Sequence, residues 1–538
     1  MLALEPTDDK ARPAFHNEAG CKTWLSQLQL TNLGLAQGNV RKQIEELNRF
    51  PMQAEERLHI LETLRETVAQ IQNDFAKRLV GKPLPLTDDE RMVLTALNSL
   101  WLAMLHGYLR CLQAADAGDS RMEKRRAQLW QRCLYYSMQQ LGEFTRAGYE
   151  PERAAWQGFH TLYARIESAG LQNERVQDPL FHEGHAASCQ TLYATTLLMH
   201  RARLLGLSRN QAYTAERWLV LWADTLKLLT RCTASKEDAP PLVVDLEGYR
   251  GLQSAAHARA AASMRCMPMV PLSKQIRVKT ILLQQEQSPQ QTELQTGMPA
   301  QECIALLNKL HQCWCEDRPE TLVEMPREAA IVHICVGLEK IYAHIAGKPF
   351  KPVKDTVKSM QDAQQQIATF GRVLDETGQH NLKELGFLPE EWLVEENSLI
   401  RGRLLRSVTV GDRMAAHHLI SVFTPNSTAH KAGAIERIEV THSGQLYIDV
   451  HYLPGQPQAA VANASLHPRA TGSGSAPCLI LPAMEKLRIP ASLVLPRDWF
   501  AAGRELELTL PDRSKQKVVL GISVERGVDY ERVSYKPA

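Results

Sequence analysis

The chain has 538 residues, 44% of them apolar and 23% charged, and a formal net charge of +2. That length exceeds what one hydrophobic core usually serves, so about two to four domains are expected, and the composition is that of a globular protein rather than a disordered or membranous one. The near-balanced charge lacks the domain-wide basic excess of nucleic-acid binding, and from Glu391 onward 17 Lys/Arg face 15 Asp/Glu.

The N-terminus, Met1-Leu-Ala-Leu-Glu5, carries acid where a secretory signal carries basic residues. No stretch approaches roughly 18 uninterrupted apolar residues, so a cytoplasmic protein without a membrane span is expected. Eleven cysteines, among them Cys111, Cys133, Cys232 and Cys335, read as reduced core residues.

The first clear helix follows Pro51, where Leu61, Leu64, Val68, Ile71 and Phe75 form one apolar stripe. Thr87-Asp-Asp-Glu90 then has capping-box spacing and starts a helix through Val93, Leu97, Trp101, Met104, Tyr108 and Leu112. Further amphipathic stretches cover about 123–146, 152–168, 186–205 and 210–232, and the short breaks between them imply antiparallel packing in a bundle or α-solenoid. The run Trp156-Gln-Gly-Phe159-His-Thr-Leu162-Tyr163 resembles the spacing of tetratricopeptide helices, which makes Trp156 and Tyr163 candidates for an exposed partner groove.

In the middle section, Leu242-Val-Val-Asp-Leu246 reads as a short buried strand, and the alternation of Ile276, Val278, Thr280 and Leu282 reads as a second. A Gln-rich connector near residues 284–293 precedes helices expected at about 300–315, 327–346 and 355–374. Cys303, His311, Cys313, Cys315, His333 and Cys335 are the only metal-like cluster. On a helix Cys313 points away from His311 and Cys315, so no metal is expected.

Near residue 390 the period changes. Trp392-Leu-Val-Glu-Glu396-Asn-Ser398-Leu-Ile-Arg401-Gly-Arg403-Leu-Leu-Arg406 places acid, hydroxyl, glycine and three arginines at the start of a β-domain. Short strands follow at 419–423, 435–440, 446–450, 493–495, 506–510 and 518–524, with a Thr441-His-Ser-Gly444 turn, a flexible loop over about 459–476 and a reversal at Asp512-Arg513-Ser514. About six antiparallel strands make a small barrel. His417, His418, His430, His442 and His451 read as solvated or hairpin-flanking. Phosphate-loop and zinc-protease motifs are absent, and Gly472-Ser-Gly474 lacks a strand-turn-helix setting, so no catalytic residue, cofactor or enzyme activity is expected.

Trp392, the acid-x-Ser pattern of Glu396-Asn397-Ser398 with Gly402 nearby, the following strands and the Pro-Gly after Leu453 resemble the PilZ barrel of bacterial cyclic-di-GMP receptors. The whole chain resembles large PilZ-like proteins with a long helical N-terminal region, of the kind sometimes labelled molecular chaperone. The pattern departs from the family motif. No Arg-x-x-x-Arg pair precedes it, Glu396 replaces a shorter acid or amide, and Arg401 stands where glycine is expected. The resemblance implies a ligand set of Glu396, Asn397, Ser398, Arg401, Gly402, Arg403 and Arg406, with Arg403 and Arg406 on phosphate and the acid-x-Ser segment at the guanine edge.

The expected architecture is α+β and multidomain: helical residues 1–235, strands and connector 236–295, a helical region 296–376, and an antiparallel PilZ-like barrel 377–538. The expected function is a non-enzymatic signalling adaptor that binds cyclic-di-GMP and holds a protein partner through its helices. The alternative is a helical interaction scaffold with a ligand-free barrel.

Overall fold

The computed structural model describes residues 4–181, 184–231, 239–255, 261–316, 330–350, 387–425, 427, 429–464 and 474–538. The chain divides into a unit of residues 1–82 and 86–323 and a unit of residues 83–85 and 324–538.

The first unit contains α1 (Glu18–Ser26), α2 (Leu33–Arg49), α3 (Ala54–Ala76), α4 (Asp88–Asp116), α5 (Ser120–Glu123), α6 (Arg126–Arg146) and α7 (Arg153–Ser168). A two-stranded ribbon, β1 (Arg175–Gln177) and β2 (Ala186–Ser188), leads to α8 (Cys189–Ala202) and α9 (Arg209–Leu221). Strands β3 (Leu242–Asp245), β4 (Gln253–Ser254) and β5 (Met264–Met267) form a small sheet, followed by α10 (Val270–Gln284) and α11 (Ala300–Cys315).

The sequence signals explain the long helices. Thr87 and Glu90 form the expected reciprocal capping box at the start of α4, and Ser208 with Gln211 forms another at α9. One continuous core runs from Phe15 on the N-terminal segment to Trp314 on α11. The α4 helix is long and apolar enough to cross a membrane by length and composition, yet most of its apolar window is buried inside the protein.

Three expectations fail here for identifiable reasons. Helices α1 and α2 precede Pro51, each capped by an asparagine (Asn17, Asn32) whose side chain accepts a backbone N–H. Residues 276–282 lie in α10, because the buried set Leu272, Ile276, Thr280 and Leu283 follows helical spacing and Pro271 occupies the first turn. Trp156 and Tyr163 are 2% and 0% exposed, so they are core and offer no groove. Trp156 stacks on His160 at 5.3 Å and Tyr163 on Tyr193 at 4.0 Å.

The second unit begins with β6 (Ile331–Val336) and α12 (Leu338–Ala346), where one helix over 327–346 was expected. The β-branched run Ile331-Val-His-Ile favours a strand, and Gly337 at φ +87° turns the chain before the helix. The helix expected over 355–374 lies outside the described residues. Then come β7 (Glu390–Asn397), β8 (Arg401–Ser407), β9 (Leu419–Phe423), β10 (Lys431–Val440), β11 (Gln445–Tyr452), β12 (Gln458–Ala464), β13 (Ser475–Leu481), β14 (Ser492–Pro496), β15 (Glu505–Thr509), β16 (Lys515–Arg526) and β17 (Tyr530–Pro537).

These strands close into two antiparallel barrels where one was expected. The first has the order β10-β11-β8-β7-β6-β9 and the second β12-β13-β14-β17-β16-β15. Closure satisfies every strand edge, which an open sheet of this size leaves unpaired. The stretch expected as loop from 459 is β12 up to Ala464, hidden from pattern analysis because Ala-Ala-Val-Ala-Asn-Ala has little side-chain contrast.

A shared core of Leu338 and Ile341 from α12, Leu419, Ala432, Leu479, Val494 and Tyr530 packs the two barrels together. Asp529 reinforces the joint: its Oδ1 accepts the Leu419 N–H at 2.9 Å, and its Oδ2 lies 3.5 Å from His418 Nδ1. The hydrogen bond that the Asp529 carboxylate accepts from the His418 ring raises the His418 pKa above its ordinary value.

His430 corrects the expectation of solvated histidines. It is 7% exposed, packs 4.3 Å from Phe423, and burial lowers its pKa to about 4. A folded-state value below the ordinary 6.5 means that its contribution is present above about pH 6.5 and is lost as pH falls toward 4. We expect the second unit to lose about 2 kcal/mol between pH 7.5 and 5 from this group. Urea unfolding at both pH values, in wild type and His430→Leu, measures it; an equal pH slope in the two proteins refutes it.

Candidate ligand site on the first barrel

Strands β7 and β8 form a hairpin in which Asn397 pairs with Gly402, Glu396 with Arg403, and Val394 with Leu404. Glu395 is the extra residue of a bulge in β7, which turns its carboxylate toward Arg403. Ser398 builds the turn. Its N–H and its hydroxyl both donate to the Arg401 carbonyl, at 2.7 and 2.9 Å, and its Oγ accepts the Arg401 N–H at 3.0 Å. The hydroxyl is therefore engaged in local structure, while Leu399 and Ile400 at the tip are 89% and 63% exposed.

The three arginines have three different settings. Arg401 is exposed, and its Nε lies 4.0 Å from Glu436 Oε2. Arg403 is one member of a charge ladder across four strands: its Nε lies 2.7 Å from Glu395 Oε2 and 3.7 Å from Asp449 Oδ1, and its guanidinium lies over Tyr447. Asp449 also pairs with Arg437 at 2.9 Å, and Arg437 pairs with Glu439. Burial raises the Glu395 pKa above its ordinary value, reinforced by Asp449 and opposed by Arg403.

Arg406 is 4% exposed, packs over the Trp392 ring at 4.9 Å, and has its Nε 3.2 Å from Glu390 Oε2. It also donates to the Ser407 carbonyl at 3.0 Å and to the Asp412 carbonyl. Burial lowers its pKa. The structure thus groups Glu396, Asn397, Ser398 and Arg401 at an exposed turn, encloses Gly402 and Arg406 in the barrel, and holds Arg403 among carboxylates.

Two groups at this end of the barrel escape motif reading. Lys431, the first residue of β10, places Nζ 3.3 Å from the Ser398 carbonyl, 3.5 Å from Asn397 Oδ1 and 4.9 Å from the Tyr452 ring centre. Tyr452 is 4% exposed, and its buried Oη has no hydrogen-bond partner among the described residues. An unmet buried hydroxyl costs about 1–3 kcal/mol. A Cβ at residue 402 would collide with that hydroxyl and reach the ring carbon Cζ at 3.0 Å, so glycine is required there. Period-2 alternation does carry a signal for both, since Lys431 and Tyr452 fall on the same side as Gly433, but nothing in the sequence reveals which end of the barrel they share.

The metal-like residues are dispersed. Cys303, His311, Cys313 and Cys315 lie on α11 in the first unit and His333 and Cys335 on β6 in the second. His311 Nε2 is within 2.9 Å of Ser273 Oγ, and Cys313 Sγ donates to the Arg201 carbonyl. Among the described residues no group of three or more His, Cys, Asp or Glu is placed to hold a metal ion. Cys266 on β5 is disulfide-bonded, which corrects the reading of uniformly reduced thiols; pairing is a matter of three-dimensional proximity that spacing does not encode. Cys232 lies outside the described residues.

Comparison with known proteins places this architecture. Residues 19–234 match the family described as "Cyclic-di-GMP receptor FimW, N-terminal domain", and residues 462–538 match "FimW C-terminal beta-barrel domain". Together these take in more than half of the chain. The chain belongs to the FimW family. A relative named Cyclic-di-GMP receptor FimW, from Pseudomonas aeruginosa, is 24% identical over 341 residues, which is 62% of this chain and 54% of that protein. The chain thus aligns with about half the length of this FimW relative, and no solved structure matches it. The FimW N-terminal domain corresponds to helices α1 to α9, and its C-terminal barrel to β13 through β17 with the end of β12. The β7–β8 hairpin falls between the two matched segments.

Proposed function

We propose that the chain is a non-enzymatic cytoplasmic receptor for cyclic-di-GMP, in which the first barrel takes the nucleotide and the helical unit holds a protein partner. The observation that carries this reading is the joint match to both FimW domains, together with a relative named as a cyclic-di-GMP receptor. The exposed β7–β8 turn supplies suitable chemistry. Glu396 and Asn397 offer acceptors, and Asn397 a donor, to a guanine edge, while the exposed guanidinium of Arg401 suits a phosphate. Ser398 fixes the turn, Arg403 is held in place by Glu395 and Asp449, and Arg406 supports the barrel from inside.

Calorimetry of the full chain with cyclic-di-GMP tests this. We expect saturable heat and a ligand-dependent rise in melting temperature, with Arg401→Ala weakening affinity roughly ten- to a hundredfold. Neither heat nor stabilisation at high micromolar nucleotide rejects the receptor reading.

A further inference from the structure

We propose that the end of the first barrel where the β7–β8 turn meets the start of β10 is an anion subsite in which Lys431 and the Tyr452 hydroxyl receive a phosphate oxygen of the nucleotide. The inference rests on the receptor reading above and names the atoms of the same site that the sequence motif does not include.

The first argument is electrostatic. Arg403 and Arg406 each lie against a carboxylate, so each already has a counter-ion. Lys431 differs, because the groups that it touches, the Ser398 carbonyl, the Asn397 side-chain oxygen and the Tyr452 ring, are all neutral. Neutral acceptors orient an ammonium without cancelling its charge, which leaves it able to attract an anion.

The second argument is the unmet hydrogen bond. Buried polar groups in folded proteins nearly always have partners, and an orphan is where a ligand or an ordered water is sought. Tyr452 Oη has none among the described residues. Burial pushes its pKa up to about 12, so at neutral pH it is a hydroxyl with a proton to donate. Gly402 is the residue whose missing side chain makes room for that hydroxyl. Gly433 pairs directly with Tyr452, and Lys431 precedes Gly433 by two residues, so cation and hydroxyl issue from the same side of adjacent strands. One phosphate oxygen between them would meet an ammonium and an O–H donor at once.

The test is calorimetry of the full chain with cyclic-di-GMP on wild type, Lys431→Met, Lys431→Arg and Tyr452→Phe, with melting temperatures recorded without ligand. We expect Lys431→Met to weaken binding roughly ten- to a hundredfold, with Lys431→Arg retaining most of the affinity because it keeps the charge. Tyr452→Phe should weaken binding about five- to tenfold while leaving the ligand-free melting temperature unchanged or higher, because it removes an unsatisfied buried group. A purely structural tyrosine would instead lose stability and leave affinity alone. Wild-type binding that is unchanged in Lys431→Met and Tyr452→Phe overturns this subsite and leaves the receptor reading standing. Absence of wild-type binding overturns both.

Discussion

Replacing Asp178 with alanine is expected to destabilise the helical unit by about 3–5 kcal/mol, the range for breaking a buried ion pair from one side. Asp178 is 0% exposed and ties α3 to α6 in the core. Its Oδ2 accepts from Arg65 at 2.7 Å on α3, and from Arg132 at 2.9 Å and Gln131 at 3.2 Å on α6; its Oδ1 accepts the Leu180 N–H at 3.0 Å. Arg132 then reaches Glu62 at 3.0 and 3.2 Å, and Tyr108 on α4 donates to Glu62 at 2.6 Å. Two guanidiniums face two carboxylates, so the cluster is neutral as a whole. Burial alone would raise the Asp178 pKa, but the hydrogen bond from Arg65 and the charges of Arg65 and Arg132 outweigh it and hold the carboxyl below its ordinary value.

Removing Asp178 leaves Arg65 and Arg132, 4% and 2% exposed, with one counter-ion between them. Asp178→Asn keeps most of the shape and should lose nearly as much, because the missing quantity is charge. Glu62→Gln should cost much less, about 1 kcal/mol, since Glu62 is 30% exposed and water screens the loss. Denaturant unfolding followed through the tryptophans of this unit measures all three. A loss below about 1 kcal/mol for both Asp178 variants would show that the cluster is not held together by charge.

The contrast between this cluster and the helices around it shows what a sequence discloses. The capping box at Thr87 and the stripe on α3 are local, because their partners lie three or four residues away and the period states the geometry. Arg65, Arg132 and Asp178 are separated by up to 113 residues, and as isolated letters each reads as a surface charge. The same limit applies to the barrels. Strands such as β11, with alternating contrast and a turn before them, are legible, whereas β6 hides behind a helical-looking stripe and β12 consists of small residues. At the hairpin the acid, hydroxyl and arginines stand out as letters. That Ser398 is engaged in its own turn, that Arg406 faces inward, and that Lys431 sits against the Ser398 turn are facts of barrel closure.

Arg406→Ala should cost about 3 kcal/mol in the absence of any ligand, because it strips a partly buried carboxylate of its counter-ion. Glu390 is 18% exposed, forms an ion pair with Arg406 (Nε at 3.2 Å), and accepts the Trp392 indole N–H at 3.2 Å and the Asp412 N–H at 2.8 Å. Two neutral donors remain after the substitution, which keeps the loss at the lower end of the buried-pair range. The guanidinium also covers the Trp392 face, so its removal exposes apolar ring surface inside the barrel wall. A double-mutant cycle with Glu390→Gln separates the two contributions: the pair term should appear as coupling of about 1–3 kcal/mol, and the ring contact as the part that persists without the carboxylate. The same variant distinguishes a support from a ligand contact. If Arg406 held a nucleotide phosphate, its loss would lower affinity in molecules that are still folded; as a support, it lowers the melting temperature first, and folded Arg406→Ala protein at low temperature binds with nearly wild-type affinity. A stable Arg406→Ala protein with strongly reduced affinity would return this arginine to the ligand set and move the site from the exposed turn into the barrel.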